Sequence, residues 1–401
     1  MCLGTMTSER GSASSLLRPP LVVTRRMVWG TFLVVGLIFA AFTMGMTSGR
    51  RWARQTKSFL GMGHALPLPG MFEPGPIDGE FSADSLKAMC PNRMPKLDAF
   101  PDIYDLAVLL TGKDPNGPDI PLSREKLLPL TYPRAGWHAD LDKKNRLIYL
   151  RIWKCANNNL QCFGRNLQSL PTTRFVDDGR DGSQEKPALE AVRLGKNPLM
   201  FTIVREPLIR FVSGYNEVLY QRVDAKFGNT SSCYVPEYDS LDNASPEKFR
   251  EFVRQYMVSM LEWGGKCFGI GGGYAHLWPQ ANIFVFKELD PMDIHVIDIE
   301  DTETVPKELR RHFGLTHDQL PIDTIDPECG QHVTSGDPLG SYAAAKAAAA
   351  EPDDPIIDAV CLYIIYDYAC FPDYYLPDSR CKRAYDRHRD ALESILDKHR
   401  V

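Results

Sequence analysis

Two short segments carry side chains whose types and spacing suit them to hold an anion. The first is Pro198–Tyr220, P-L-M-F-T-I-V-R-E-P-L-I-R-F-V-S-G-Y-N-E-V-L-Y, in which Arg205 stands between an apolar run and a proline. Arginine presents a planar fork of donors that matches phosphate and carboxylate oxygens. Ser213 offers a hydroxyl about two helical turns farther on. The second segment is Trp153–Leu160, W-K-C-A-N-N-N-L, where the Lys154 ammonium is followed by three asparagines. Taken singly, Arg205 could equally pair with a carboxylate, and Lys154 could be a solvated lysine at a strand end. The G-x-x-x-x-G-K-[ST] loop occurs nowhere in the chain, which argues against an ordinary nucleoside triphosphatase or kinase. There is no C-x-x-C pair and no Cys/His cluster at ligand spacing, so no metal is expected.

The elements that must position these side chains can be read from periodicity. Leu199–Val204 is a short apolar run with β-branched Thr202, Ile203 and Val204, which predicts a buried strand. Pro207 ends it and suits the first position of a helix. Leu208, Phe211, Val212, Tyr215 and Leu219 then recur at helical spacing on one face. Arg205 is thereby placed at a strand-to-helix turn, where unpaired backbone N–H groups and the helix dipole favour an anion. Arg146–Trp153 predicts another strand, following a polar turn at Asp140–Asn145. It leads through Lys154 into a helix containing Phe163 and Leu167. Residues 175–197 read as a charged, exposed insertion. Farther on, the pattern predicts a helix over Pro246–Met260 with Ser245 as its N-cap, and a glycine-dense loop at Gly264–Gly273. Strands follow at Ile283–Phe286 and His295–Ile299, then helices at Pro306–Phe313, Tyr342–Ala350, Ile356–Tyr368 (amphipathic) and Arg383–His399.

The N-terminal part is organised differently. Residues 1–26 form a polar tail. Met27–Met46 carries no charge and has about the ~20 residues needed to span a bilayer, so it reads as a transmembrane anchor. Arg25 and Arg26 precede it and Arg50, Arg51 and Arg54 follow, so charge does not set its orientation. Residues 47–98, rich in Gly, Pro and Met, read as a stem, and residues 99–401 as the catalytic domain. That domain has a short helix at Ile103–Thr111 and begins in earnest at Trp137-His138. Ten cysteines fit a partly disulfide-bonded luminal domain. The sequons Asn229-Thr230-Ser231 and Asn243-Ala244-Ser245 point the same way and would make it a glycoprotein. A net charge of −5 gives no basis for nucleic-acid binding.

The string V-R-E-P-x-x-R-F-V-S-G-Y resembles the 3′-phosphate-binding motif of sulfotransferases, roughly V-R-D-P-x-x-R-x-x-S-x-Y, with Glu206 in place of Asp. These enzymes use the sulfate donor PAPS, 3′-phosphoadenosine 5′-phosphosulfate. L-I-Y-L-R-I-W-K-C-A-N-N-N-L is similar to the 5′-phosphosulfate loop of Golgi-type carbohydrate sulfotransferases, close to L-Y-x-x-x-P-K-x-A-C-T-N-W, including the Tyr149-to-Lys154 spacing. Within that family the chain resembles the HNK-1/chondroitin and 2-O-sulfotransferase-like group. Tyr274–Gln280 resembles the family's H-x-x-x-P-Q segment, Ile297–Glu300 its strand ending in Glu, and Tyr366–Phe371 its C-terminal Y-x-x-D-[FY]-x-x-F segment. The resemblance covers residues 137–375 or so.

It implies an α/β fold, a P-loop-like three-layer sandwich with a central, mostly parallel sheet, preceded by the N-terminal transmembrane helix. It implies a Golgi membrane protein of single-pass type II with a luminal catalytic domain. The implied reaction is sulfuryl transfer from PAPS to a hydroxyl of a glycan or other hydroxylated acceptor, with no metal. Lys154, Ala156, Asn157, Asn158, Asn159, Arg205 and Ser213 would bind the donor, with Lys154 stabilising charge on the oxygen that bridges phosphate and sulfate. Asn158 stands where the family has Thr or Ser, which leaves room for a relative that binds without turnover. Such a displacement needs a base near the acceptor. His276 is the first candidate, His138 the second and Glu206 a third. A membrane-anchored glycosyltransferase is the rival enzyme class, since Asp140-Leu141-Asp142 matches the metal-binding D-x-D triplet.

Overall fold

The two apolar runs that precede the anion-binding segments become adjacent parallel strands of a five-stranded sheet. The computed structural model describes residues 80–90, 135–171, 173–177, 185–221, 236–262, 274–284, 294–326 and 336–399. All lie in the unit Leu66–Val401. The strands are β1 (Ala135–Asp140), β2 (Asn145–Leu150), β3 (Arg174–Asp177), β4 (Asn197–Val204) and β5 (Ile294–Asp298), in the order β3-β1-β2-β4-β5. β2, β4 and β5 are parallel, while β1 runs antiparallel to its neighbours β2 and β3. Every strand except β1 therefore points the same way, as a mostly parallel sheet requires.

Helices α1 (Ala83–Ala88), α2 (Asn157–Gln168), α3 (Glu185–Arg193), α4 (Pro207–Tyr220), α5 (Pro246–Glu262) and α6 (Val305–Phe313) accompany the strands. They are followed by α7 (Ser341–Ala349), α8 (Pro355–Tyr363), α9 (Ile365–Cys370), α10 (Ser379–Arg387) and α11 (Arg389–His399).

The alternation of side chains along each strand assigns the layers. Trp137, Tyr149, Phe175 and Phe201 share one face, with ring centroids 5.5 to 5.9 Å apart. Phe163 of α2 seats on Trp137 at 5.6 Å, and the indole N–H of Trp137 donates to the Leu160 carbonyl at 2.8 Å. Arg146 projects from the opposite face of β2 and meets the Pro187 carbonyl and Glu190 of α3. Helices thus cover both faces, and the buried middle strands read as continuous apolar runs for that reason. Beyond the sheet, Phe211 and Tyr215 of α4 interlock with Phe249, Phe252 and Tyr256 of α5. Ser245 caps α5 by accepting from the Lys248 N–H at 3.1 Å.

Several sequence-based expectations are corrected. Part of the stretch read as stem is folded: α1 buries Leu86, with Phe81 and Met89 beside it, and Cys90 is disulfide-bonded to Cys370. The charged segment 175–197 contains edge strand β3 and helix α3. Residues 178–184, which carry much of the charge, lie outside the described residues. Ile283–Phe286 was expected as a strand, but Gln280–Phe284 is a 3-10 turn. There the Ala281 N–H is held by the Asp367 carboxylate at 2.8 Å, a tertiary bond that overrides local β-propensity. Ile356–Tyr368 is two helices, α8 and α9, broken at Ile364 and buried on every side. The C-terminal helix is likewise split, at His388, and its first part begins earlier, at Ser379, where the Asp378 carboxylate accepts from the Cys381 N–H. Met27–Met46, Ile103–Thr111, Gly264–Gly273 and the Asn229 sequon lie outside the described residues. Among the described residues no helix is long and apolar enough to cross a membrane.

α8 and α10 are joined by the Cys361–Cys381 disulfide and by a buried charge cluster. Asp358 receives Arg387 at 2.5 and 2.8 Å, Arg380 at 2.6 Å and His388 at 3.6 Å. Burial alone would raise the Asp358 carboxyl. Hydrogen bonds from His388 and Arg387 and the charges of Arg380 and Arg387 outweigh it, and hold the group well below the usual carboxylate range. A folded-state value below the unfolded one means stability that is complete above the unfolded pKa and lost as pH falls through the folded value. Asp358→Asn should therefore lower stability at neutral pH by about 3 kcal/mol. It should also flatten the dependence of Tm on pH below about pH 4. Thermal melts of both proteins across the acid range check this.

Candidate active site

β2 and β4 end side by side, with Leu150 opposite Thr202 and the Thr202 hydroxyl donating to the Leu150 carbonyl at 2.8 Å. Their carboxyl ends lead into the two turns that carry the anion-binding residues. Ligands of open α/β sheets bind at this edge, because helix N-termini converge there.

After β2 the backbone reverses through two left-handed residues, Lys154 (φ 67°) and Ala156 (φ 52°). Non-glycine residues reach this region at a steric cost, so the turn is held by its surroundings. Ala156 occupies the N-cap of α2 with no side chain to accept the first N–H groups. The first turn of α2, Asn157–Asn159, is half-buried and has no side-chain cap, and a helix N-terminus of this kind favours an anion. The Asn157 side-chain carbonyl accepts from the Tyr149 hydroxyl at 2.5 Å, which accounts for the tyrosine at that spacing.

The turn after β4 is built differently. Glu206 is the N-cap of α4. Its carboxylate accepts from the Leu208 and Ile209 N–H groups at 3.2 and 2.6 Å and from the Tyr368 hydroxyl. The N-terminus of α4 is thus closed by its own cap, and of the two termini only that of α2 is open. Glu206 is committed to structure, which removes it as a base. Arg205 itself is half-buried, and among the described residues its guanidinium makes no hydrogen bond or ion pair.

One buried amide couples the two turns. The Gln280 carbonyl oxygen accepts from the Arg205 N–H at 2.9 Å and from the Cys155 thiol at 3.2 Å, while its amide donates to the Arg205 carbonyl at 2.7 Å. Burial pushes the Cys155 thiol up to about 12, so it stays protonated as a donor. Beneath them lies Arg210, fully buried. It donates to the carbonyls of Trp153 (3.4 Å), His276 (3.2 Å), Leu277 (3.4 Å) and Trp278. Asp367 sits 3.9 Å away as its counter-charge. The second arginine of the R-E-P-L-I-R string is therefore a brace rather than a ligand. Gly214 permits this approach: a Cβ there would lie 2.3 Å from the His276 carbonyl oxygen.

Arg210, Ser213, Gly214 and Glu217 recur at helical spacing, so they share the face of α4 that looks onto the Lys154 turn. Lys154 Nζ lies 3.1 Å from Glu217, whose other oxygen takes the Gln221 amide. Burial raises the Glu217 carboxyl, but the Lys154 and His276 charges and the Gln221 hydrogen bond leave it below the ordinary carboxylate value. The His276 ring stands edge-on to Trp153 at 4.6 Å. Lys154 and His276, far apart in sequence, are thus gathered around one acidic residue. His138 is placed elsewhere: it is buried in β1 opposite Ile148 and Val176, within the sheet.

The D-x-D triplet lies at the opposite end of β2 and is occupied structurally. Asp140 pairs with Arg146 at 2.6 Å and Lys196 at 3.0 Å. Asp142 closes the β1–β2 turn through the N–H groups of Lys144 and Asn145 and holds Gln319. Among the described residues no group of three or more His, Cys, Asp or Glu side chains could hold a metal ion.

Glu217 went unnoticed in the sequence. The available signal was its place four residues after Ser213, as the one acidic residue within the helix Pro207–Tyr220. Residues 137–313 match the sulfotransferase family, a stretch that contains both turns, β2 to β5 and α2 to α6. Among curated proteins and solved structures no match to the chain is found. The match supports a sulfotransferase-family region with a mixed α/β fold and suggests sulfuryl transfer.

Removing the Arg210 brace would leave Asp367 buried without its counter-charge and four carbonyls without this donor. Arg210→Leu should cost more than about 3 kcal/mol. Gln280→Ala, which loses neutral hydrogen bonds, should cost about 1–2 kcal/mol. Urea unfolding of the two variants ranks them.

Proposed function

We propose that this chain is a PAPS-dependent sulfotransferase that transfers a sulfuryl group to a hydroxyl of a glycan or other hydroxylated acceptor. The observation that carries the reading is the pairing of two adjacent turns within the family-matched region. One offers Lys154 beside an uncapped helix N-terminus; the other offers an Arg205 guanidinium with no protein partner among the described residues. PAPS supplies the sulfuryl group and a phosphate leaving group. The α2 N–H groups, with Ala156, Asn157, Asn158 and Asn159, suit the 5′ end, and Arg205 with Ser213 suits the 3′-phosphate.

Transfer forms a bond from the acceptor oxygen to sulfur and breaks the bond from sulfur to the bridging oxygen. Lys154 would meet the negative charge left on that oxygen. His276, beside Lys154 and Glu217, is the group suited to take the acceptor's proton. No metal is required by this chemistry.

Anchoring in the Golgi membrane as a single-pass type II protein completes the reading. The uncharged run Met27–Met46 supports it, as do the disulfides Cys90–Cys370 and Cys361–Cys381, which suit an oxidising lumen. A second reading, donor binding without turnover, is favoured by two observations. Asn158 replaces the family's hydroxyl residue, and Lys154 is engaged by Glu217.

Radiolabelled PAPS screened against a panel of glycans and small alcohols separates the readings. Transfer to one acceptor supports the enzyme, while binding with no transfer to any favours the second reading. Lys154→Ala should abolish transfer. Arg205→Ala should weaken PAPS binding by about 1.5–3 kcal/mol in calorimetry, the scale of a hydrogen bond to a charged group. Wild-type affinity and rate in both variants would sink the site assignment.

A further inference from the structure

The Lys154 ammonium is held by a carboxylate. Glu217 is almost completely buried, with a side-chain exposure of 3 %, and Lys154 is little more exposed at 15 %. Their 3.1 Å contact is therefore a largely desolvated ion pair, whose strength solvent and salt diminish less than they would on a surface. Both Glu217 oxygens are in use, one by Lys154 and one by Gln221. The carboxylate is a fixed feature of α4, whereas the lysine has a flexible stem on the turn that precedes α2. A carboxylate so occupied, with its proton affinity reduced, is ill suited to act as a base. It is well suited to fix the place of an ammonium.

We propose that Glu217 is a positioning residue that latches Lys154 in the ligand-free protein, so that the phosphosulfate of the donor must compete with it for the ammonium. This inference rests on the donor-binding reading of the site. Without donor, the latch keeps an unpaired ammonium from standing beside the open N-terminus of α2, where the dipole is unfavourable to a cation. With donor, Lys154 exchanges one anion for another, and the affinity for PAPS reports only the difference. Glu217 keeps Gln221, and His276 also acts on it electrostatically. Loosening the latch should accordingly tighten donor binding, the opposite of what loss of a merely structural residue does.

The test is calorimetric titration of PAPS into the detergent-solubilised full chain. Glu217→Gln should lower the Kd for PAPS roughly tenfold, the scale of coupling between groups in direct contact. Glu217→Asp, which keeps the charge, should stay near the wild-type value. The double-mutant cycle with Lys154→Met separates a latch from simple repulsion between Glu217 and the anionic donor. If Glu217 acts through the lysine, the gain from Glu217→Gln should disappear once Lys154 is replaced; an equal gain in that background overturns the latch. Unchanged or weaker binding by folded Glu217→Gln also overturns it, while binding by the wild type leaves the proposed function standing. Absence of PAPS binding by the wild type and all variants overturns both. Should Glu217→Gln fail to fold, Gln221→Ala loosens the same carboxylate from its other oxygen. It should lower the Kd by roughly threefold, and no decrease there counts against the latch.

Discussion

The site depends on one buried guanidinium. Arg210 lies beneath both turns and gathers the carbonyls of Trp153, His276, Leu277 and Trp278 into a single cluster. Those carbonyls come from two chain segments more than a hundred residues apart, neither of which belongs to the sheet at that point. Irregular backbone can be buried only if its polar groups find partners. Arginine is suited to the task because its donors fan out in one plane and its charge is permanent. The charge in turn requires Asp367, which also holds the Ala281 N–H and so shapes the 3-10 turn carrying Gln280. Gln280 then fixes Arg205 and Cys155. The position of the outer arginine is thus a consequence of where the inner one can be satisfied.

A division of labour among charges follows from burial. Arg210, Arg146 and Arg380 are buried and Arg387 is partly buried; all are paired or bonded to backbone, and they organise the fold. Arg205 is half-buried at the carboxyl edge of the sheet, and its guanidinium bonds to none of the described residues. Lys154 stands between these extremes, paired to Glu217 yet within reach of the open helix terminus. A buried acid on α4 needs a cation, and the turn after β2 supplies one. The energetics of the fold and those of ligand binding meet at this ion pair.

Much of the scaffold could be read from periodicity. β2, β4, α4, α5 and α6 fell where apolar spacing placed them, because their side chains follow the core they pack against. The elements misread are those in which local preference and tertiary demand conflict. Ile283–Phe286 has the composition of a strand, yet Asp367 and the Arg205 clamp hold its neighbourhood as a 3-10 turn. Within 175–197, the described ends belong to the edge strand β3 and to α3, which shows part of its surface to solvent. Residues 80–90 resemble a linker in composition, but three apolar side chains and a disulfide to Cys370 bring them into the core.

For the site, residue type and spacing marked Lys154, Arg205, Ser213 and His276 as candidates only together with the resemblance to sulfotransferase motifs, and the uninterrupted apolar runs before the two turns implied that they meet at one sheet edge. Spacing could not distinguish the capped helix terminus from the open one, because Glu206 and Ala156 reveal their roles only through where their neighbours' N–H groups point. Nor could it tell the bracing arginine from the free one in R-E-P-L-I-R, since the two differ only in what surrounds them. The bond from Lys154 to Glu217 lies entirely with the tertiary structure. It joins residues 63 positions apart through the packing of α4 against the turn after β2, and no local pattern encodes that distance.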